Sequence, residues 1–223
     1  MIQAAGARDA SEGRMLAACG FTHVGLPLRL PVHRPDVSEE EARGICAAIE
    51  QAGAVSVCIT YEEDPREALA LCRFLGCRGL QLHGAMPLGA VAEVRAAAPE
   101  LLLIKSLVLG AGRDERALLE LARAHAPHVD AFLTDTFDPA TGASGATGKT
   151  HDWAVSRRLA QALPRPLILA GGLNPANVAR AIAEARPAGV DAHTGLEGPG
   201  GAKDPERCRA FVEEARRGFA ALS

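Results

Sequence analysis

Short branched apolar runs alternate with alanine- and leucine-rich segments at helical spacing, eight times in succession from one end of the chain to the other. The first four pairs are IQAAG with SEGRMLAACG, HVGLPL with SEEEARGICAAIEQAG, AVSVCIT with DPREALALCRFLG, and GLQLHG with PLGAVAEVRAAAP. LLLIKSLVL then precedes RDERALLELARAHAP, and VDAFLTD precedes a glycine-rich loop and DWAVSRRLAQAL. PLILAGG with NPANVARAIAEARP and VDAHTG with DPERCRAFVEEARRGFAAL complete the series. Buried strands separated by amphipathic helices imply a parallel sheet, because the crossover helices must cover it. Eight units in 223 residues predict a (β/α)₈ TIM barrel of the phosphate-binding type, slightly shorter than the roughly 250 residues usual for that fold. An open doubly wound sheet is the architectural alternative, weakened by the length and regularity of the last two units. The expected domain is single, residues 1–223, since such a chain holds one substantial core and is short for two.

Helix starts are marked locally. Ser38 followed by Glu41 forms a capping box, while Asp64–Pro65, Asn174–Pro175 and Asp204–Pro205 each pair a capping side chain with a proline suited to the first helical turn. Aromatics make up only 4% of the residues against 48% hydrophobic overall, so the interior is built from alanine, leucine, valine and isoleucine. The six cysteines are scattered rather than paired as C-x-x-C and read as small buried hydrophobes. A formal charge of -3 gives no general attraction to nucleic acid or an acidic membrane. With no long uncharged apolar run and no secretory pattern after Met1, the expectation is a cytoplasmic protein, a monomer or homodimer, with a small phosphorylated metabolite as its partner.

In a barrel the βα loops converge at the carboxyl ends of the strands, and chemistry is found there. Those ends carry Ala5 and Gly6, Leu28, Thr60, His83 and Gly84, Lys105 and Ser106, Asp135, Gly171 and Gly172, and His193 to Gly195. Gly171, Gly172, Thr194 and Gly195 follow strands seven and eight, the usual barrel site for a phosphate, and glycine lets backbone amides approach an anion closely. Asp135 is the candidate acid, His83 and His193 are the candidate imidazoles, and Lys105 is a candidate substrate contact. Nothing in the spacing of these groups defines a metal site, and no cofactor is expected. The run GASGATGKT ends like a Walker A loop, but the position for its first glycine holds Ala143. It reads instead as a lid over the substrate, with Lys149 within it.

Four stretches fix a family resemblance: QLHG at 81–84, TDTFDPATGASGATGKTHDW at 134–153, LILAGGLNPANV at 167–178, and GVDAHTGLEG followed by KDPERCRAFV. In order and spacing the chain resembles phosphoribosylanthranilate isomerase of tryptophan biosynthesis, over nearly its whole length and most strongly after residue 78. The resemblance implies an Amadori rearrangement, in which an aminofuranose opens and a hydrogen shifts to give an aminodeoxyribulose. By that resemblance Asp135 protonates the ring oxygen, Arg34 holds the anthranilate carboxylate, and the glycines after strands seven and eight bind phosphate. Strand one departs from the family. Where the family reads K-I-C-G and its cysteine takes the carbon proton, this chain has Gln3, Ala4, Ala5 and Gly6. The family's double serine is matched by His193 and Thr194. Three accounts follow: another base such as His193 or His83, a different phosphometabolite reaction, or a binding protein without turnover.

Overall fold

The computed structural model describes residues 1–31, 35–109, 114–136 and 152–222. The strands are β1 (Ile2–Ala5), β2 (His23–Leu28), β3 (Val55–Thr60), β4 (Gly79–Leu82), β5 (Leu102–Leu109), β6 (Ala131–Thr136), β7 (Leu167–Leu169) and β8 (Gly189–Ala192). They pair in parallel in chain order, and β8 closes on β1 to complete a barrel. The helices alternate with them: α1 (Ala10–Cys19), α2 (Glu39–Gln51), α3 (Pro65–Leu75), α4 (Leu88–Ala97), α5 (Glu115–His125), α6 (Trp153–Ala162), α7 (Val178–Ala185) and α8 (Pro205–Ala220). One 3₁₀ turn, Thr194–Leu196, lies between β8 and α8. The fold is thus the expected (β/α)₈ barrel.

Successive strand residues point to opposite faces, so each strand serves two cores. Ala4, Val24, Leu26, Cys58, Leu80, Leu82, Leu103, Leu107, Phe132, Leu169 and Val190 belong to the large cluster between sheet and helices. The other phase fills the barrel. Ala5 packs with Val57 and Ile59, and Ile104 with Leu133, Ile168 and Ala170. Gln3 of β1 donates from Nε2 to Gln81 Oε1 of β4 at 2.9 Å, a bond between non-adjacent strands that only an inward-facing pair can make. Asp191 is the register partner of Gln3 and shares its face.

The helix starts form largely as their sequences dictate. Ser38 Oγ accepts from the Glu41 amide while Glu41 Oε2 accepts from the Ser38 amide, which closes the capping box. Asp64 and Asp204 cap α3 and α8 with proline in the first turn. Asn174 departs from expectation, because α7 begins at Val178. Its Oδ1 accepts from Ala176 N and its carbonyl from Val178 N, so it caps a separate turn that leads into the helix. Cys46, Cys58, Cys72 and Cys208 are buried, Cys19 and Cys77 are partly so, and all six thiols are free.

Candidate active site

His83, immediately after β4, places Nε2 3.6 Å from Asp135 Oδ2 on β6. Its Nδ1 lies 2.9 Å from Ser106 Oγ on β5, and the Tyr61 ring packs against it with centroids 4.8 Å apart. All three polar residues are buried. The hydroxyl can donate or accept, and when it donates to Nδ1 the ring proton sits on Nε2, facing the carboxylate. The sequence places Lys105 and Ser106 at a strand end, but β5 runs on to Leu109, and the pairing of Ser106 with His83 depends on the register of β4 against β5.

Lys105 falls in the opposite phase of β5. Its Nζ donates to the carbonyl of Gly84 at 2.7 Å and of Leu82 at 3.3 Å, which fastens the end of β4 where His83 leaves it. A cleft of about 460 Å³ opens beside this group, lined among others by Tyr61, His83, Met86, Lys105, Ser106 and Leu107. At the end of β2, Arg29 adopts a left-handed backbone (φ 52°) and its guanidinium meets Glu39, Glu62 and Glu67. These bonds tie the β2–α2 segment to the β3–α3 segment, a link among residues up to 38 apart that no local pattern announces. Arg34 and the loop carrying Lys149 lie outside the described residues.

Across the mouth, His193 stands over the end of β1. A Cβ built on Gly6 (φ +83°) would lie 2.3 Å from His193 Nε2, so the imidazole rests against the bare Cα of that glycine. Behind it, Lys203 Nζ donates to His193 O at 3.1 Å and to Glu197 Oε1 at 3.0 Å, and the same carboxylate oxygen lies 3.5 Å from His193 Nε2. Burial, reinforced by the Lys203 charge, lowers the pKa of His193 to about 4 despite Glu197 and Asp36. The ring is therefore neutral at physiological pH.

Gly171 (φ +96°) and Gly172 (φ +63°) turn the chain after β7 in left-handed backbone. Gly195 is pressed against the same segment, since an added Cβ would stand 1.9 Å from the Leu173 carbonyl oxygen. The two loops read as an anion site are thus side by side. N–H and C=O point oppositely across a trans peptide, so the Lys203 bond to His193 O turns the Thr194 amide away from the ammonium. Among the described residues no three His, Cys, Asp or Glu side chains converge as they would on a metal ion, and no helix is long and apolar enough to cross a membrane.

A buried carboxyl and two imidazoles share one rim with glycine turns after β7 and β8, on a closed (β/α)₈ barrel. The family model for N-(5'-phosphoribosyl)anthranilate isomerase matches residues 17–214. The N-(5'-phosphoribosyl)anthranilate isomerase of Halobacterium salinarum is 40% identical over 202 residues, covering 89% of this chain and 87% of that protein. The solved phosphoribosylanthranilate isomerase of Thermotoga maritima superposes with a TM-score of 0.80 at 27% identity, over 97% of this chain and 98% of that one. A phosphoribosylanthranilate isomerase in complex with reduced 1-(o-carboxyphenylamino)-1-deoxyribulose 5-phosphate superposes with a TM-score of 0.78 at 25% identity, again over 97% and 98%. The chain belongs to the phosphoribosylanthranilate isomerase family.

Proposed function

We propose that the protein isomerises N-(5'-phosphoribosyl)anthranilate to 1-(o-carboxyphenylamino)-1-deoxyribulose 5-phosphate. The observation that carries this reading is the buried Asp135 at the end of β6 with His83 Nε2 3.6 Å from its carboxyl, on the same rim as the paired glycine turns. Membership of the family and the ligand of the solved relative support the substrate.

In this mechanism the 5'-phosphate sits on the backbone of Gly171, Gly172, Thr194 and Gly195. Arg34 takes the anthranilate carboxylate, and Lys105 holds the β4 end that borders the cleft. Asp135 gives its proton to the ring oxygen as the C1'–O bond breaks, and the nitrogen lone pair forms a C1'=N iminium. His83, with Ser106 on its far nitrogen, faces the carboxylate that this transfer leaves and steadies it. The iminium makes the C2' hydrogen acidic. Its loss gives an enaminol, and proton return to C1' with loss of the C2' hydroxyl proton gives the ketone, so atoms and charge balance. His193, neutral and beside the phosphate turns, acts on the sugar as a hydrogen-bonding group. A base with a pKa of about 4 is a weak acceptor for a carbon-bound proton at neutral pH.

Fluorescence-monitored turnover of freshly generated N-(5'-phosphoribosyl)anthranilate, with Asp135→Asn as the contamination control, tests the proposal. The expected result is turnover that the substitution lowers by about 10²- to 10⁴-fold while product-analogue affinity changes only a few fold. No turnover by the parent protein with analogue binding retained would replace this reading with that of a binding protein.

A further inference from the structure

The isomerisation just proposed needs a group to take the C2' proton, and Ala5 offers only a methyl. We propose that Asp191, inside the barrel on β8, is that proton acceptor. The inference rests on the isomerase reading and names a catalytic residue within it.

Among the described residues, Asp191 is one of two carboxyls on inward-facing strand positions, Asp135 being the other. It sits one inward step below His193 on β8, in register with Gln3 of β1. The neighbouring inward positions on the flanking strands are small: Ala5, one inward step beyond Gln3 on β1, and Ala170, which continues the β7 register opposite Asp191. The floor is closed, since Gly189 at the start of β8 lies against Met1, which packs on the interior cluster of Ile104, Leu133 and Ile168. Asp191 nevertheless keeps 8% of its surface accessible while Gln3 at its own level keeps none. An approach from the mouth, where the substrate's sugar must lie, is the one this assignment requires.

The electrostatic setting suits the task. The charged group acting on Asp191 is Lys203, from the segment before α8, and β1 contributes only the neutral amide of Gln3. Asp191 Oδ1 and Gln3 Oε1 are both buried without a hydrogen-bond donor, an arrangement that favours a carboxyl carrying a proton. Burial outweighs Gln3 and Lys203 and raises the pKa to about 7. A carboxylate poised near neutrality is a far better match to carbon deprotonation than an ordinary aspartate, because the efficiency of a general base peaks when its pKa lies near the working pH. In the step itself a carboxylate oxygen takes the C2' proton, the C–H electron pair becomes the C1'=C2' bond, and the iminium nitrogen is neutralised. The protonated Asp191 can then return its proton to C1'.

The experiment compares Asp191→Asn in two backgrounds, the parent chain and Ala5→Cys, which restores a thiol on β1. In the parent background kcat should fall by about 10²- to 10⁴-fold with KM within a few fold. In the Ala5→Cys background, where the thiol supplies a base, the same substitution should cost less than about tenfold. Full activity of Asp191→Asn, or an equal loss in both backgrounds, overturns the assignment. Gln3→Lys serves if the Asn variant fails to fold, because an ammonium beside Asp191 must move the acidic limb of kcat/KM to lower pH than in the parent. An unmoved limb also overturns it. A parent protein with no turnover would defeat the isomerase reading itself, whereas an active parent with an active Asp191→Asn defeats only the present assignment.

Discussion

A buried carboxyl that serves as a base carries a cost in stability, and Asp191→Asn should reveal it. The pKa of Asp191 rises from 3.8 to about 7 on folding, so the folded state holds the proton more tightly than the unfolded chain does. The stabilising contribution of that proton is full below pH 3.8 and is lost as the pH rises through about 7. Integrating this shift gives about 4 kcal/mol of lost stability by pH 8, but less than 2 kcal/mol at pH 5. Asparagine does not ionise, and its amide can donate to the orphaned Gln3 Oε1. Chemical unfolding at both pH values should therefore show the stability difference, variant minus parent, increasing by about 2 to 3 kcal/mol between pH 5 and pH 8. In thermal melts that corresponds to roughly 4 to 12 °C for a chain of this size. His23 and His193 also titrate abnormally, but they are present in both proteins and cancel in the difference. A difference that stays constant between the two pH values, or decreases, would refute the argument that burial holds this carboxyl near neutrality.

Gly6→Ala should displace the His193 ring, because the new methyl would sit 2.3 Å from Nε2 in a backbone with φ +83°; a crystal structure and a loss of roughly 1–2 kcal/mol of stability check it. Gly195→Ala meets the Leu173 carbonyl at 1.9 Å, so KM and inorganic phosphate inhibition should weaken at least tenfold even where the folded state survives, as measured by kinetics. The pKa values of His23 and His193 are both lowered from 6.5 to about 4, so the stability they contribute is complete above pH 6.5 and disappears as the pH falls through 4. Unfolding curves of His193→Gln should accordingly decline less between those limits than the parent's.

Much of the architecture was legible because two periods alternate in the chain. Runs such as VSVCIT and LLLIKSLVL are largely apolar in both phases, and the helical segments between them place alanine and leucine on one side, so a parallel sheet follows from burial and the count of eight units favours its closure into a barrel over an open sheet. The rim was legible for the same reason: a strand's carboxyl end can be read where its apolar run stops, which located Asp135, His83 and His193. Asn174–Pro175 misled because a capping side chain followed by proline opens any tight turn, and the sequence does not show that the helix proper waits until Val178. The Ser106–His83 contact and the Arg29 cluster join separate strands and loops, which only register and three-dimensional closure bring together.

Asp191 was hidden for a deeper reason, and that reason also explains how a barrel of this family can change its base. In VDAHTG the apolar Val190 and Ala192 alternate with Asp191 and His193, but every residue of β8 is buried, so the alternation does not tell a barrel-facing aspartate from a solvent-facing one. Its neighbours on the interior come from β1, 188 residues earlier, through the pairing that closes the barrel. Two changes on β1 then act on one carboxyl. A glutamine at position 3, where the family carries lysine, gives Asp191 a neutral partner and lets burial raise its pKa, while alanine at position 5 removes the thiol and leaves space above it. Loss of the thiol alone would be harmful, whereas the change at position 3 alone would not. A buried lysine–aspartate pair without the thiol would have no base of suitable strength, and the thiol with a neutral glutamine beside the aspartate would have no need of the second group. In the mechanism proposed above, the two changes together move the proton-accepting function from one strand to its neighbour while the acid proposed on β6 and the phosphate turns proposed after β7 and β8 keep their places. Restoring both β1 residues, Gln3→Lys with Ala5→Cys, should therefore return the dependence on Asp191 to below about tenfold in kcat, and a dependence as large as the parent's would show that the function had never moved.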